Sequence, residues 1–191
     1  MGKCDTNRPV AARHTDAEPS LAARARMIRL VLTDVDGVLT SSHLYYGIDG
    51  IHLRGFSTRD GAAIGWLGQS GIPVGFISAL DAPSTRARAR DLNVEELHLG
   101  SGDKGPVLQS ILARRGLEPA QVAYLGDDLH DLPVLRRVGL AACPMDAAPE
   151  VREVCHWAVP LRGGEGVFRA VAECVLQAQG LWEGILARYS R

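Results

Sequence analysis

The sequence predicts an α/β protein with a Rossmann-like, doubly wound and mostly parallel sheet. Short apolar runs rich in strand-forming residues alternate with helical stretches of about ten residues, a pattern typical of βαβ units. In such units helices cover both faces of the sheet, so the strands themselves are apolar throughout. One β-hairpin is predicted to project after the first strand, where the alternation is interrupted.

The strand and helix boundaries follow from apolar runs and from glycine stops. Strands are predicted at 27–33, 73–78, 122–125, 139–143 and, with a weaker pattern, 157–159. Helices are predicted at 62–70, 83–92, 104–115, 131–138 and 166–187, two of them ended by Gly71 and Gly116.

The hairpin and the N-terminal segment lie outside this alternation. Two strand-like runs at 44–46 and 51–53 flank Asp49-Gly50, a frequent hairpin turn. Residues 1–26 lack sustained periodicity and are predicted to be a mobile leader with a short helix before Met27, so the folded domain spans 27–191.

Composition excludes several classes of protein. The chain has 191 residues, 46% of them hydrophobic and 23% charged, which is enough to bury a core and excludes a wholly disordered chain. The net charge of -1 provides no basic field for nucleic acid, and no apolar run is long enough to span a membrane. The 4 cysteines are scattered, which favours a reducing compartment and argues against a zinc site.

The first three predicted strands all end in polar side chains. Asp34 and Asp36 follow the first strand, Ser78 ends the second, and acidic residues follow the third. Ligands of open parallel sheets bind at the carboxyl ends of the strands, so we expect these groups in one crevice. Two carboxylates at this spacing suit a nucleophile paired with a general acid/base, although an Asx-capped turn has the same pattern.

The acidic cluster Asp127, Asp128 and Asp131 predicts Mg²⁺ binding, because grouped carboxylates repel one another unless a cation neutralises them. A helix N-cap is the alternative, for Asp131 in particular. Ser78 can donate to a phosphoryl oxygen or simply belong to a turn. Lys104, the only lysine after residue 3, offers a compact positive charge, with a solvated helix start as its alternative.

Together these residues resemble the four ordered motifs of the haloacid dehalogenase superfamily of phosphatases. The likeness is closest to the 3-deoxy-D-manno-octulosonate 8-phosphate phosphatases, and it covers about residues 28–180. It rests on DVDGVLT at 34–40, FSTRDG at 56–61, AYLGDD at 123–128 and GGEG at 163–166. The resemblance implies an Mg²⁺-dependent enzyme with no separate cap domain. It also implies a role in the synthesis of a bacterial surface sugar, which would place the enzyme in the cytoplasm. It also implies a homotetramer whose hairpins and C-terminal tails help close neighbouring sites.

The resemblance implies a role for each matching residue. Asp34 would be the nucleophile that forms an aspartyl-phosphate, Asp36 the general acid and then base, and Ser78 and Lys104 would hold the phosphoryl group. Mg²⁺ would be ligated by Asp34, Asp127 and the backbone carbonyl of Asp36. The substrate, a sugar-acid phosphate monoester, would be contacted by a further set of residues: Ser57, Thr58, Arg59, Asp60, Gly61 and Arg88.

Two positions depart from the family pattern. Ala79-Leu80 stands where the family usually has Gly-Arg, and a second family arginine falls at Gly65. Neither leucine nor glycine can make the bidentate contacts of an arginine. Two alternatives therefore stay open: a phosphatase of a related 9-carbon keto-acid phosphate, and a non-catalytic oligomerisation module of the same fold. A phospho-accepting receiver domain fits less well, since receivers carry the acceptor aspartate on a middle strand.

Overall fold

The computed structural model describes residues 19–48 and 52–190. From residue 58 onward helices and strands alternate as far as the last two helices, and two single turns of 3₁₀ helix lie at Pro119–Gln121 and Leu129–Asp131. In chain order the elements are α1 (Leu21–Arg26), β1 (Leu30–Thr33), β2 (Tyr45–Tyr46), β3 (His52–Leu53), α2 (Thr58–Gln69), β4 (Val74–Ser78), α3 (Pro83–Asp91), β5 (Glu96–Leu99), α4 (Lys104–Arg115), β6 (Val122–Leu125), α5 (Leu132–Leu135), β7 (Leu140–Pro144), α6 (Pro149–Val154), β8 (Trp157–Val159), α7 (Val167–Ala178) and α8 (Trp182–Tyr189).

One parallel sheet forms the centre of the domain, with the strand order β5-β4-β1-β6-β7-β8. The chain first winds outward from β1 through β4 to β5 and then returns to the other side of β1 at β6. The carboxyl ends of β1, β4 and β6 therefore meet at the point where the winding direction reverses, which is where open α/β sheets bind ligands. The predicted fold class is confirmed.

The two faces of the sheet carry two separate apolar cores. Leu30 and Leu32 of β1 and Tyr124 of β6 pack under α4, α5 and α6. Val31 of β1 faces the opposite way and packs with residues of α1, α2 and α7. Because side chains alternate along a strand, every central strand contributes apolar residues to both cores. Neither side of these strands therefore needs to carry polar residues.

Strand β5 was not predicted from the sequence. It lies at the edge of the sheet, and two of its four residues, Glu96 and His98, are polar. Glu96 is buried because its carboxylate accepts hydrogen bonds from Arg114 and Arg115, at 2.5 and 2.6 Å. The charge pairing with α4 replaces the apolar pattern that reveals the inner strands, so periodicity alone misses this strand.

Two predicted helices differ from the structure. The helix predicted at 166–187 is divided into α7 and α8 by Gly180, whose φ of +71° ends α7 while Leu181 N–H donates to the carbonyl of Leu176 at 2.8 Å. The helix predicted at 131–138 is a 3₁₀ turn followed by the single turn of α5.

The N-terminal prediction is tested only in part, because residues 1–18 lie outside the described residues. The short helix expected before Met27 is present as α1, and Ala25 is fully buried against the core that contains α7. Helix α1 thus packs against the domain that the sequence analysis places at 27–191. The hairpin pairs Tyr45 with Leu53, and its predicted turn at 49–50 also lies outside the described residues. Within the described ranges, no helix has the length and apolar character needed to cross a bilayer.

Candidate active site

Asp34 lies directly after β1, and its backbone N–H continues the sheet by donating to the carbonyl of Leu125 at 2.8 Å. The side chain is buried, and its Oδ1 accepts from Nζ of Lys104 at 2.5 Å. Burial raises the pKa of Asp34 to about 7, although the positive charge of Lys104 acts in the opposite direction. In its ionised form Asp34 is a nucleophile whose negative charge is offset by Lys104.

Lys104 is the first residue of α4, whose N-cap Asp103 accepts from the N–H of Gly105. Its ammonium group donates to Asp34, to Oδ1 of Asp131 at 2.7 Å and to Oη of Tyr124 at 3.2 Å. Burial opposes the charged form, but the two carboxylates outweigh it, so the pKa of Lys104 is raised. Lys104 is therefore positively charged at neutral pH.

Asp131 holds the acidic loop after β6 in place through hydrogen bonds to the backbone of that loop. Oδ2 of Asp131 accepts from the N–H groups of Asp127 and Asp128 at 2.9 and 3.3 Å, and Oδ1 accepts from the Tyr124 hydroxyl at 2.5 Å. The N-cap of the following 3₁₀ turn is Asp128, which is exposed and accepts from the N–H of Leu129. Asp131 stands at the N-cap position of α5, as the alternative supposed, but its side chain makes no capping hydrogen bond to that helix.

Carboxylate oxygens of Asp34, Asp127 and Asp131 lie within 4.8 Å of one another. Burial and then the charge of Asp34 raise the pKa of Asp127 to about 8, and the positive charge of Lys104 offsets only part of this rise. The two oxygens of Asp131 are already hydrogen-bonded, whereas Asp127 has lone pairs available. A hard divalent cation such as Mg²⁺ fits this set of oxygen donors.

Gly37 allows the loop after β1 to approach this acidic group. Its φ is +108°, and a Cβ atom placed on it would lie 1.9 Å from Oδ2 of Asp127. A Cβ on Gly163 would lie 2.0 Å from the carbonyl oxygen of Gly37, and Gly164 N–H donates to the carbonyl of Val38 at 2.9 Å. The glycine-rich GGEG segment therefore packs against the loop that carries Asp36.

Asp36 has a partner that the sequence did not reveal. Nε of Arg54 donates to Oδ1 of Asp36 at 2.6 Å, and Nη2 donates to Oδ2 at 3.4 Å. Arg54 follows the hairpin, and its side chain is 0% exposed, while that of Asp36 is 21% exposed. No motif marks Arg54 in the sequence, because the contact is made across 18 residues by the path of the hairpin.

Asp34, Asp36, Ser78, Lys104 and Asp127 line one cleft of about 160 Å³, so the structure brings the predicted catalytic and metal residues together. Ser78 is buried at the end of β4, where its Oγ accepts from Leu80 N–H at 3.1 Å. The remaining lining residues are Ala79, Leu80, Asp128, His130 and Asp131.

Leu80 is 41% exposed within this cleft, so the position that carries an arginine in the family presents an apolar side chain here. Gly65 lies in α2, outside the lining of the cleft, and a Cβ on it would meet only Nε2 of Gln69 at 4.0 Å.

The predicted substrate-contacting residues fall into two groups, and neither lines the cleft of Asp34. Ser57 is the N-cap of α2 and, with Thr58 and Arg59, borders a wider cleft of about 780 Å³ beside the GGEG segment. Among the described residues, this wider cleft and the Asp34 cleft share no lining residue.

Asp60 and Gly61 are buried and Arg88 is half-buried, and their contact with substrate stays a prediction. Oδ1 of Asp60 accepts from the N–H of Arg169 at 2.8 Å and so joins α2 to α7. A Cβ on Gly61 would lie 2.3 Å from Nη2 of Arg88, and that nitrogen donates to the carbonyl of Ser57 at 3.2 Å. The guanidinium of Arg88 thus packs against the first turn of α2 and binds the backbone of its N-cap residue.

Comparisons with known proteins agree with this geometry. A model of haloacid dehalogenase-like hydrolases matches residues 91–171. The 3-deoxy-D-manno-octulosonate 8-phosphate phosphatase KdsC of Yersinia pestis is 39% identical over 161 residues, which cover 84% of this chain and 86% of the relative. The chain belongs to the 3-deoxy-D-manno-octulosonate 8-phosphate phosphatase family. Its acidic motifs lie at the carboxyl ends of strands in a parallel sheet.

Solved structures of 3-deoxy-D-manno-octulosonate 8-phosphate phosphatases have the same fold. The Yersinia pestis enzyme superposes with a TM-score of 0.84 at 38% identity, covering 86% of this chain and 89% of that one. The Moraxella catarrhalis enzyme, solved with a magnesium ion, a phosphate ion and a KDO molecule, gives a TM-score of 0.87 at 30% identity. The match covers 88% of this chain and 97% of the Moraxella chain.

Tyr124 is the second site residue that the sequence analysis missed. It is fully buried, and burial raises its pKa well above the usual range, so the phenol stays protonated and donates to Asp131. A tyrosine inside an otherwise aliphatic strand was the available signal, because a buried phenol needs a hydrogen-bond partner.

Proposed function

We propose that this member of the family is an Mg²⁺-dependent phosphatase that hydrolyses 3-deoxy-D-manno-octulosonate 8-phosphate through an aspartyl-phosphate. The observation that carries the proposal is the buried carboxylate of Asp34, bonded to Lys104 at 2.5 Å in a cleft that Asp36 and Asp127 also line. We place the reaction in the cytoplasm, in the synthesis of a bacterial surface sugar, on the strength of the family resemblance.

The reaction proceeds in two displacements at phosphorus. In the first, a carboxylate oxygen of Asp34 forms a bond to phosphorus as the bond from phosphorus to the sugar oxygen breaks, and that oxygen takes a proton from Asp36. In the second, Asp36 takes a proton from water as the water oxygen bonds to phosphorus and the Asp34–phosphorus bond breaks. Inorganic phosphate leaves, and both carboxyl groups return to their starting forms.

The remaining residues position charge in both displacements. Lys104 holds Asp34 and a phosphoryl oxygen, and the hydroxyl of Ser78 donates to a second phosphoryl oxygen. The carboxylates of Asp34 and Asp127 and the backbone carbonyl of Asp36 would hold Mg²⁺. When bound, Mg²⁺ supplies positive charge that offsets the repulsion between phosphate and Asp34.

A second substrate is favoured by one observation. Leu80 presents an apolar side chain in the cleft where the family pattern has an arginine, so one bidentate contact to a sugar-acid carboxylate or phosphate is missing. A related 9-carbon keto-acid phosphate, gripped elsewhere, is therefore the alternative. Ser57, Thr58 and Arg59 in the wider cleft are the proposed contacts for parts of the substrate away from the phosphate.

We propose further that the chain assembles as a homotetramer. The hairpin supports this, because Tyr45, Ile48 and Leu53 expose large apolar side chains. Exposed apolar surface of this kind is typical of interfaces.

Phosphate release from a panel of sugar-acid phosphates and ordinary sugar phosphates tests the proposal. We expect turnover that needs Mg²⁺, stops with EDTA, is lost in Asp34→Asn and is fastest on an 8-carbon keto-acid phosphate. Fastest release from a 9-carbon member would select the alternative substrate. A folded oligomer that releases no phosphate from any member would instead identify a non-catalytic oligomerisation module.

A further inference from the structure

We infer that Arg54 is a positioning residue that holds the carboxylate of Asp36 in the orientation needed for proton transfer. The inference rests on the proposed function, because it assigns Arg54 a part in the proton transfers of that reaction. It adds a supporting residue to the site, one that directly follows the hairpin and belongs to no motif used to predict the site.

The contact has the geometry of a built ion pair. Two nitrogens of one guanidinium meet the two oxygens of Asp36, at 2.6 Å to Oδ1 and 3.4 Å to Oδ2, and the Arg54 side chain is wholly buried. A bidentate pair of this kind sets the direction of a carboxylate as well as its charge. The uneven distances leave Oδ2 as the less tightly held oxygen, so we assign proton transfer to Oδ2.

Arg54 is itself held from a second direction. Its Nη1 donates to Oγ of Ser84 at 3.3 Å, near the start of α3, while its backbone follows β3 of the hairpin. Three parts of the chain therefore meet at Arg54: the loop after β1, the end of the hairpin and α3. Arg54 is buried away from solvent, so it acts through Asp36 and not by binding substrate.

The orientation of Asp36 matters because a sugar alkoxide is a poor leaving group, so the sugar oxygen must take a proton from Asp36 as it departs. A misplacement of about 1 Å at a catalytic group can reduce a rate about 100-fold. An activated ester such as 4-nitrophenyl phosphate releases a stable anion and depends much less on the acid. Loss of Arg54 should thus affect the two kinds of substrate unequally.

The test compares Arg54→Met and Arg54→Lys with the wild-type protein on the best sugar phosphate of the panel. We expect Arg54→Met to lower kcat by about 10- to 100-fold with KM within about 2-fold, and Arg54→Lys to recover part of kcat by restoring one donor. The rate of enzyme phosphorylation by 4-nitrophenyl phosphate should fall much less. Arg86→Met is the matched control, since Arg86 makes a bidentate pair with Asp81 on the exposed surface and should leave kcat unchanged.

Thermal unfolding of each variant is measured as well, to establish that Arg54→Met is folded before its kcat is compared. If that variant fails to fold, the kcat of Arg54→Lys decides, with a several-fold loss at unchanged KM as the supporting result. An unchanged kcat, a loss confined to KM, or equal losses on both substrates would overturn the role of Arg54 while leaving the phosphatase proposal intact. Absence of wild-type phosphate release would overturn both.

Discussion

Lys104 is hydrogen-bonded to two carboxylates and one tyrosine hydroxyl. Its positive charge and the negative charges of Asp34 and Asp131 therefore stabilise one another. Each carboxylate alone would be expensive to bury, and the ammonium group alone would lose its proton more easily. The same contacts fix where the ammonium points before any phosphate arrives. Preorganised charge of this kind is what stabilises developing charge in phosphoryl transfer.

Replacing Tyr124 by Phe tests how much this balance contributes to stability. The Tyr124 hydroxyl donates to Asp131 at 2.5 Å in a fully buried site, so its loss should lower the free energy of unfolding by about 1–3 kcal/mol. Urea unfolding measures the change. Tyr45→Phe is the control: that tyrosine is 61% exposed, and loss of its hydroxyl should cost about 0.5 kcal/mol or less. Equal losses for both variants would contradict the role given to Tyr124.

Mg²⁺ binding should depend on pH in a direction set by the raised pKa values. Without metal, the pKa of Asp34 is about 7 and that of Asp127 about 8, so both carboxyls take up protons as the pH falls from 8 to 6. Protons then compete with the cation, and the apparent affinity should fall by roughly 10- to 100-fold over this range. Calorimetric titration with MgCl₂ at several pH values measures it.

Asp91→Asn provides the control for that titration, because Asp91 is exposed at the end of α3 and does not line the cleft. Its Mg²⁺ affinity and pH dependence should stay close to those of the wild-type protein. An affinity that is flat from pH 6 to 8 in the wild type would argue against Asp34 and Asp127 as ligands.

The residues at strand ends were predictable, and the residues that reach them from elsewhere were not. Asp34, Ser78 and Asp127 were found because a polar side chain after an apolar run stands out in one dimension. Arg54 reaches Asp36 only through the path of the hairpin, and Arg88 turns inward because Gly61 leaves room for its guanidinium. Neither contact can be inferred from a local sequence pattern. The acidic residues of the site were therefore predicted, whereas the contacts that Arg54 and Arg88 make were not.

At the scale of elements, the loop between β1 and the hairpin depends on close backbone contacts. Gly37→Ala would place a methyl group 1.9 Å from Oδ2 of Asp127 at a φ of +108°, so either the loop or the carboxylate must move. We expect Mg²⁺ affinity to fall at least tenfold and the free energy of unfolding to fall by about 1–3 kcal/mol. Calorimetric titration and urea unfolding measure the two effects.

Gly68→Ala is the matched control for that variant. Gly68 lies inside α2, and a Cβ there would meet nothing within 4 Å. This substitution should raise the free energy of unfolding by about 0.5–1 kcal/mol, since alanine is the better helix former, and should leave Mg²⁺ binding unchanged. Wild-type Mg²⁺ affinity in Gly37→Ala would show that the close approach of this loop is not needed for the site.

The elements themselves were predicted where burial is uniform and missed where it is not. The inner strands β1, β4, β6 and β7 are fully buried and appear in the sequence as continuous apolar runs. Edge strand β5 is held by ion pairs to α4, and α7 is separated from α8 by one left-handed glycine. Both exceptions depend on tertiary contacts or backbone conformation, which periodicity does not register.

At the scale of the whole molecule, the hairpin leaves apolar surface that the single chain does not cover. Tyr45 and Leu53 pair across the two strands, and their exposed fractions are 61% and 65%. Ile48 beside them is fully exposed. A two-stranded hairpin is marginally stable alone, so packing against a neighbour would stabilise it as well as bury this surface.

If the hairpin forms the tetramer interface, Tyr45→Glu combined with Leu53→Glu should convert the tetramer to smaller species, because charges at an apolar interface would be buried without partners. Light scattering after size exclusion measures the mass, with Met27→Glu at the exposed end of α1 as a control expected to keep it. The dissociated variant should also lose most phosphate release, since Arg54 follows directly after Leu53 and its contact to Asp36 depends on where the hairpin lies. A wild-type monomer with full activity would show that the hairpin positions Arg54 without a neighbour, and would separate catalysis in this fold from assembly.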